Sequence, residues 1–250
     1  MRKKIVIAFG IIALLPLLVV GQGFSGGAVN WGLSHKGNGQ TPVPPAIGTK
    51  LLQENNGIFV GDTTKREIFL TFDLGYEAGY TAQVLDVLKK YEARAIFFLC
   101  GNYLKEVELV DRMIADGHTI GNHTNHHKDL PTLGHDAMSK DISEFTELFN
   151  AKWSDHKLKH FRPGKGRFNE ATLREANSQG LKTVMWSNAI VDWGKQPIDA
   201  VKSADKVMSR MHNGCIALFH ISNSGMPRML EILIPKLIDA GYAIGDAGQL

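Results

Sequence analysis

His123-Thr124-Asn125-His126-His127 places imidazoles at i and i+4, or at i and i+3 if His126 is used. On one helical turn that spacing would put both rings on the same side, ready for a divalent cation such as Zn²⁺. A His-rich pentapeptide can equally be a solvated loop, so its weight depends on what the fold brings near it. The other residue types capable of acid–base chemistry are Asp73, Arg162, Asp192 and His220. Each has a plainer reading: Asp73 as a helix N-cap, Arg162 as a surface residue before a turn, Asp192 as a loop cap, His220 as a satisfied core histidine. Among the remaining histidines, His118, His135, His156, His160 and His212 form no suggestive arrangement, and Trp31, Trp153 and Trp186 read as packing residues.

The elements that must position these side chains are short apolar runs alternating with amphipathic stretches. Strands are expected at 68–72, 95–99, 118–121, 160–162, 183–187, 216–219 and 242–244. Helices are expected at 81–91, 107–115, 138–149, 170–179, 200–211 and 226–240. Such alternation predicts an α/β fold built on a parallel sheet of about seven strands, either closed as a barrel or open and doubly wound. Against this frame the polar residues are not scattered. Asp73 follows the first strand, His123 and His127 the third, Arg162 ends the fourth, Asp192 comes soon after the fifth, and His220 ends the sixth. In a parallel barrel those C-terminal ends converge on one face, which favours a closed barrel with a single site.

Composition is that of an ordinary globular chain: 44% hydrophobic, 21% charged, with 26 Gly and 9 Pro in 250 residues. That excludes intrinsic disorder, collagen and low-complexity architectures. The formal net charge of +3 is matched by Arg2, Lys3 and Lys4 alone, so there is no basic footprint for nucleic acid. Cys100 and Cys215 cannot form a disulfide framework or a four-thiolate zinc site, and their expected places at opposite strand ends speak against a disulfide. The basic triplet followed by the uncharged apolar run 5–20 predicts an export signal or a signal anchor over residues 1–28, with Gly21, Gly23, Gly26 and Ala28 as candidate cleavage positions. No later run approaches its length, so membrane contact is expected through this segment only. Residues 29–65 read as an N-terminal arm, extended over the Pro- and Gly-rich stretch 30–49. Residues 66–250 read as one catalytic domain, expected as a monomer.

The ordered motifs Thr71-Phe72-Asp73, His123-Thr124-Asn125-His126-His127, Arg162-Pro163-Gly164-Lys165-Gly166, Asp192-Trp193 and Leu218-Phe219-His220 resemble those of the polysaccharide deacetylases, carbohydrate esterase family four. The likeness is greatest to the branch that makes muramic δ-lactam in bacterial spore peptidoglycan. It extends through Trp31-Gly32, Ile68-Phe69-Leu70, Gly75-Tyr76-Glu77-Ala78-Gly79-Tyr80-Thr81, Gly121-Asn122-His123 and Ile190-Val191-Asp192-Trp193. The resemblance implies a distorted (β/α) barrel and metal-assisted hydrolysis of an N-acetyl amide. It implies that His123 and His127 hold a divalent cation, Zn²⁺ with Mn²⁺ or Co²⁺ as alternatives, and that Asp73 is the general base, paired with Arg162. His220, oriented by Asp192, would be the general acid; the Lys165 N–H would stabilise the oxyanion; Leu218 and Trp193 would line the acetyl pocket.

One position departs from the family pattern. The residue after the base is usually a second Asp that ligates the metal, and here it is Leu74. That puts metal affinity in question, and Glu77, which could also simply open a helix, is a candidate to complete the shell. The substrate implied is peptidoglycan, N-acetylmuramic acid first, at the cell wall or the outer face of the membrane, and in the spore cortex if the protein is sporulation-specific. The alternatives are deacetylation of N-acetylglucosamine-containing or other acetylated glycans, and a wall-glycan-binding protein that has lost turnover.

Overall fold

The computed structural model describes residues 27–194 and 196–250, so the expected export segment falls outside it except for Gly27 and Ala28. In chain order the elements are β1 (Val29–Asn30), α1 (Ala46–Glu54), β2 (Glu67–Leu74), α2 (Thr81–Lys90), β3 (Ala95–Leu99), α3 (Val107–Ala115), β4 (Thr119–Asn122), α4 (His135–Asn150) and β5 (His160–Phe161). There follow β6 (Arg167–Phe168), α5 (Glu170–Ser178), β7 (Lys182–Thr183), β8 (Asn188–Ala189), α6 (Ala200–Met208), β9 (Cys215–His220), α7 (Met226–Asp239) and β10 (Ala243–Ile244).

The main sheet is wholly parallel, in the order β7-β5-β4-β3-β2-β9-β8, with β10 beside the start of β2. It curls into a distorted half-barrel. The central strand β2 shows why. Ile68, Leu70, Phe72 and Leu74 join the cluster that holds Val84 and Leu88 of α2 and Leu230 and Leu233 of α7. The alternate residue Phe69 belongs to a second cluster with Ile96, Phe98, Val184 and Ile216, on the barrel's inner side. Side chains alternate along a strand, so Thr71 and Asp73 share the inner face with Phe69. Burying both faces of a parallel strand is what makes its sequence nearly continuous in apolar residues, and each Leu or Phe so buried contributes about 1.5–3 kcal/mol.

The expected helices all form within about three residues of their predicted ends. Helix α5 is started by a capping box in which Asn169 accepts from the Thr172 N–H at 2.9 Å. Among the strands, the run 183–187 needs correction. It is not one strand. Residues 182–183 form β7 at one edge of the sheet and 188–189 form β8 at the other, and the chain between them crosses the open seam of the barrel. Its donors are shared out accordingly: Val184 N–H to Phe161 O, Met185 N–H to Ile58 O, and Ser187 N–H to Ile216 O. An apolar run reads as one strand in sequence whichever neighbours satisfy its backbone.

The stretch 30–49, expected as an extended arm, packs against the barrel. Strand β1 pairs antiparallel with β6, Trp31 Nε1 donates to Trp186 O at 2.9 Å, and Trp31, Leu52, Phe168 and Met185 form a cluster of their own. Prolines 42, 44 and 45 keep the chain extended, and α1 begins immediately after Pro45, inside the stretch read as irregular. Residues 58–60 then bridge to Val184 and Cys215 across the seam. Cys100 and Cys215 are both free and buried. Burial pushes both thiols up, that of Cys215 to about 12, so neither is a reactive thiolate near neutral pH. Among the described residues no helix is long and apolar enough to cross a membrane.

Candidate active site

The C-terminal ends of β2, β4, β5, β8 and β9 bring together the polar residues singled out in the sequence. Asp73 and His220 are register partners on the neighbouring strands β2 and β9. His123 directly follows β4, Arg162 directly follows β5, and Asp192 lies three residues past β8.

Arg162 is fully buried and every one of its nitrogens is engaged. Nη1 donates to Asp73 Oδ1 at 2.8 Å and to Thr71 Oγ1 at 3.0 Å, Nε to Val184 O at 2.8 Å, and Nη2 to Met185 O at 3.4 Å. The guanidinium also sits 4.1 Å from the centre of the Phe98 ring. Burial by itself would raise the Asp73 carboxyl. Burial is the largest single influence, but Arg162, His123, His220 and the hydrogen bond from Arg162 together outweigh it, and the group is held below the usual carboxylate range. Burial lowers Arg162 as well, but from an ordinary value so high that it stays charged beside Asp73.

His220 is organised the other way. Its ring Nδ1 faces Asp192 Oδ1 at 2.9 Å, while its backbone N–H donates to Asp192 Oδ2 at 2.7 Å, and Asp192 is completely buried. Desolvation works against the imidazolium, yet the hydrogen bond and charge of Asp192, with Asp73 behind, raise His220 above the ordinary histidine value. One buried carboxylate is thus biased towards its ionised form and one imidazole towards its protonated form.

The His123–His127 pair comes together without a helical turn, which corrects the sequence expectation. The segment is a loop in which Thr124 and His127 have φ of 68° and 53°. Left-handed backbone at a β-branched threonine is strained, and side chains hold it: Asn122 Oδ1 accepts from Thr124 N–H at 2.8 Å and Thr124 Oγ1 from His127 N–H at 2.9 Å. The two rings lie 5.0 Å apart at 60°. His126 pairs with Asp141 Oδ1 at 2.6 Å, outside this pair. His123 Nδ1 is committed to Arg162 O at 2.8 Å, which leaves Nε2 facing Asp73 Oδ2 at 3.6 Å. Burial drives His123 down to about 4 and lowers His127 too, so both imidazoles are neutral and able to ligate.

Two neutral imidazoles, one fixed in its tautomer by a backbone carbonyl, fit a divalent cation. A full protein shell is absent: among the described residues no three His, Cys, Asp or Glu side chains group as ligands. Leu74 belongs to the cluster on the helix side of the sheet. Glu77 is occupied elsewhere, since its carboxylate accepts from Gly79 N–H at 2.5 Å, from Tyr103 OH at 2.7 Å and from Thr81, and it lines neither part of the cleft described next.

Asp73, His123, His127, Trp193 and His220 line both of two adjoining cavities of ≈ 790 and ≈ 750 Å³, the first three and His220 as their common floor. Leu218 and Lys165 line the larger one. Lys165 has φ of 61° in the turn Gly164–Gly166, and a Cβ on Gly166 would lie 2.5 Å from the Trp186 ring. Trp193 is 57% exposed and meets the His220 ring edge-on at 5.3 Å, so it forms a lip over the floor. Sequence reasoning missed four contributors: Thr71 as a partner of Arg162, Trp186 as cleft wall, and Lys202 with Lys206 on α6. The lysines' i,i+4 spacing on an amphipathic helix was the available signal.

The polysaccharide deacetylase family matches residues 60–184 of the chain. The peptidoglycan-N-acetylmuramic acid deacetylase PdaA of Bacillus subtilis is 35% identical over 224 residues, which cover 89% of this chain and 85% of the relative. Its solved structure matches with a TM-score of 0.84 at 33% identity, over 89% of this chain and 96% of that one. A family 4 carbohydrate esterase structure from Bacillus anthracis matches at a TM-score of 0.77 and 32% identity, over 91% and 97% of the two chains. A peptidoglycan-N-acetylglucosamine deacetylase of Bacillus cereus is 31% identical over 189 residues, 73% of this chain and 87% of the relative. With this coverage and a common barrel, the chain belongs to the polysaccharide deacetylases, the family 4 carbohydrate esterases, and is a hydrolytic deacetylase.

Proposed function

We propose that the protein hydrolyses the N-acetyl amide of N-acetylmuramic acid in peptidoglycan, releasing acetate and leaving a free amine that can close on the lactyl carboxylate as a δ-lactam. The observation that carries the chemistry is the opposition of Asp73, paired with Arg162, to His220, paired with Asp192, at one register position of β2 and β9. The likeness to a relative named for muramic acid supports the choice of sugar. The basic start and apolar run of residues 1–28 fit export to the cell wall, where that substrate lies.

Asp73 takes a proton from the attacking water, whose oxygen bonds to the acetyl carbon. Arg162 keeps the carboxylate aimed and charged through its bond to Oδ1, and is itself held in place by its bonds to Thr71, Val184 O and Met185 O. His220 gives its proton to the departing nitrogen as the C–N bond breaks, and Asp192 holds the ring so that Nε2 is the donor. The turn at Lys165 offers a backbone N–H to the developing oxyanion. Leu218 and the lip formed by Trp193 exclude water from the acetyl methyl. His123 and His127 would hold a divalent cation, which when bound supplies polarisation of the acetyl carbonyl and a more acidic attacking water.

The test is acetate release by the full-length protein from peptidoglycan strands bearing or lacking stem peptides, with Zn²⁺, Mn²⁺, Co²⁺ or chelator, and with mass spectra showing which sugar lost its acetyl group. Release from muramic acid that stops in chelator and falls about 10³-fold or more in Asp73→Asn is the expected result. Deacetylation confined to N-acetylglucosamine would replace the substrate assignment.

A further inference from the structure

The two cavities that meet over Asp73 differ in charge. Among the described residues the ≈ 750 Å³ arm is walled by Tyr76, Asn102, Asn125 and Ser222 and is lined by no lysine or arginine. The ≈ 790 Å³ arm carries Lys165, Lys202, Lys206 and Arg210. Among the described residues the sole acid lining either arm is Asp73, and its charge is already balanced by Arg162.

Helix α6 builds this asymmetry. Ala204 and Val207 face the core, while Lys202 and Lys206, four residues apart, line the cleft from the same side. Arg210, beyond the helix end, donates to Ala189 O at 2.7 Å and is held against the wall. The acids of the helix leave most of the charge uncompensated. Asp205 bonds Lys236, and Asp199 approaches Lys202 at 3.5 Å in a pair so exposed that it contributes little. No ion pair among the described residues includes Lys206 or Lys165. His35, brought up by the arm, has its pKa lowered by burial and then by Arg210, His212 and Lys206, the direction expected beside unneutralised cations.

We infer that the arm walled by α6 is a subsite for a carboxylate borne by the glycan, with Lys202 and Lys206 as its specificity determinants. The inference rests on the peptidoglycan reading above and deepens it. A neutral N-acetylated glycan offers these lysines nothing. Muramic acid without a stem peptide carries a lactyl carboxylate on the same ring as the scissile amide, so on stripped strands a carboxylate enters the cleft whenever the acetamide reaches Asp73; where a stem is attached that carboxyl is an amide, and the carboxylates of the peptide take its place. Charges at the rim of a cleft act on encounter and orientation, so the effect belongs mainly in KM and weakens with salt.

The experiment measures kcat/KM of the full-length protein and its Lys202→Gln/Lys206→Gln variant on stem-bearing strands, on stripped strands, and on stripped strands whose carboxyls have been chemically reduced to alcohols. On stripped strands the variant is expected to lose about five- to tenfold, mostly in KM, and less as salt is raised. On carboxyl-reduced strands, where the wild type has already lost a similar factor, the variant should lose less than about twofold, because lysine and carboxylate are two halves of one interaction. A loss confined to stem-bearing strands assigns the subsite to peptide carboxylates instead of the lactyl group. Equal loss on native and reduced strands, or none on either native form, overturns the inference while leaving muramic deacetylation standing. A wild type that removes no acetyl group from muramic acid overturns the substrate reading itself.

Discussion

The two ends of the same strands treat their polar residues in opposite ways. At the C-terminal ends of β4 and β5 stand His123 and Arg162, and each polar atom used there has a named partner: Arg162 O for His123 Nδ1, and Asp73, Thr71, Val184 and Met185 for Arg162. At the N-terminal ends of those strands stand His118 and His160, equally buried. Neither ring nitrogen of His118 and not the Nδ1 of His160 has a partner among the described residues. His118 packs edge-on against Phe97, 5.1 Å between ring centres, as a hydrophobic ring would. A buried polar group tolerated for its volume and one held for its chemistry differ in whether their hydrogen bonds are closed.

Removing Arg162 should break the contrast most severely. Arg162→Met leaves Asp73 buried without its counter-ion, so the carboxyl rises and the base is protonated near neutral pH. Activity should fall about 10³-fold or more, and stability by about 3–5 kcal/mol. Arg162→Lys should recover part of the stability and little of the rate, since an ammonium cannot keep the bond to Val184 O and the stack on Phe98 together with that to Asp73. Denaturant melts and acetate release read the two effects separately. A variant with near-normal activity would show that Asp73 does not depend on this partner.

Asp192→Asn should act more gently and on pH. Asp192 raises His220, so the proton donor is present below that raised value and lost above it. Without the carboxylate the alkaline limb of the kcat profile should move down in pH, with about a 10²-fold loss near neutrality. An unmoved alkaline limb would remove His220 from the proton-donor role.

The smallest effect belongs to the other end of the barrel. Burial lowers His118 and His160 to about 4 in the folded state, against 6.5 for the free residue. The unfolded chain therefore takes up protons that the folded chain refuses, and stability declines as pH falls from about 6.5 towards 4, by up to about 3 kcal/mol for each group. His118→Leu should flatten that decline between pH 6.5 and 4 without altering activity at neutral pH. Unchanged pH dependence of the melting midpoint would show that this imidazole is not the group being charged.

Legibility followed the same division. The strands around Asp73, His123 and His220 were readable because a doubly buried strand leaves a nearly unbroken apolar run, and the helices because their apolar residues recur at helical spacing. The run 183–187 reads as one strand because nothing local says that its hydrogen-bond partners change from Phe161 to Ile58 to Ile216 along five residues. The Pro-rich stretch 30–49 reads as an extended arm because its anchors, Phe168 and Trp186, lie more than a hundred residues away.

By itself the sequence determined the residue types at the strand ends, their order along the chain and the leucine that replaces a carboxylate after Asp73. Those are properties of local pattern and motif. Only the tertiary structure decided which groups face each other: that Arg162 donates to both Asp73 and Thr71, that a strained loop brings His123 and His127 together, that Glu77 is committed to Tyr103 and Thr81, and that α6 lends one arm of the cleft its positive charge. Facing is set by sheet register and by the alternation of side chains across a strand, and both depend on contacts between residues far apart in the chain.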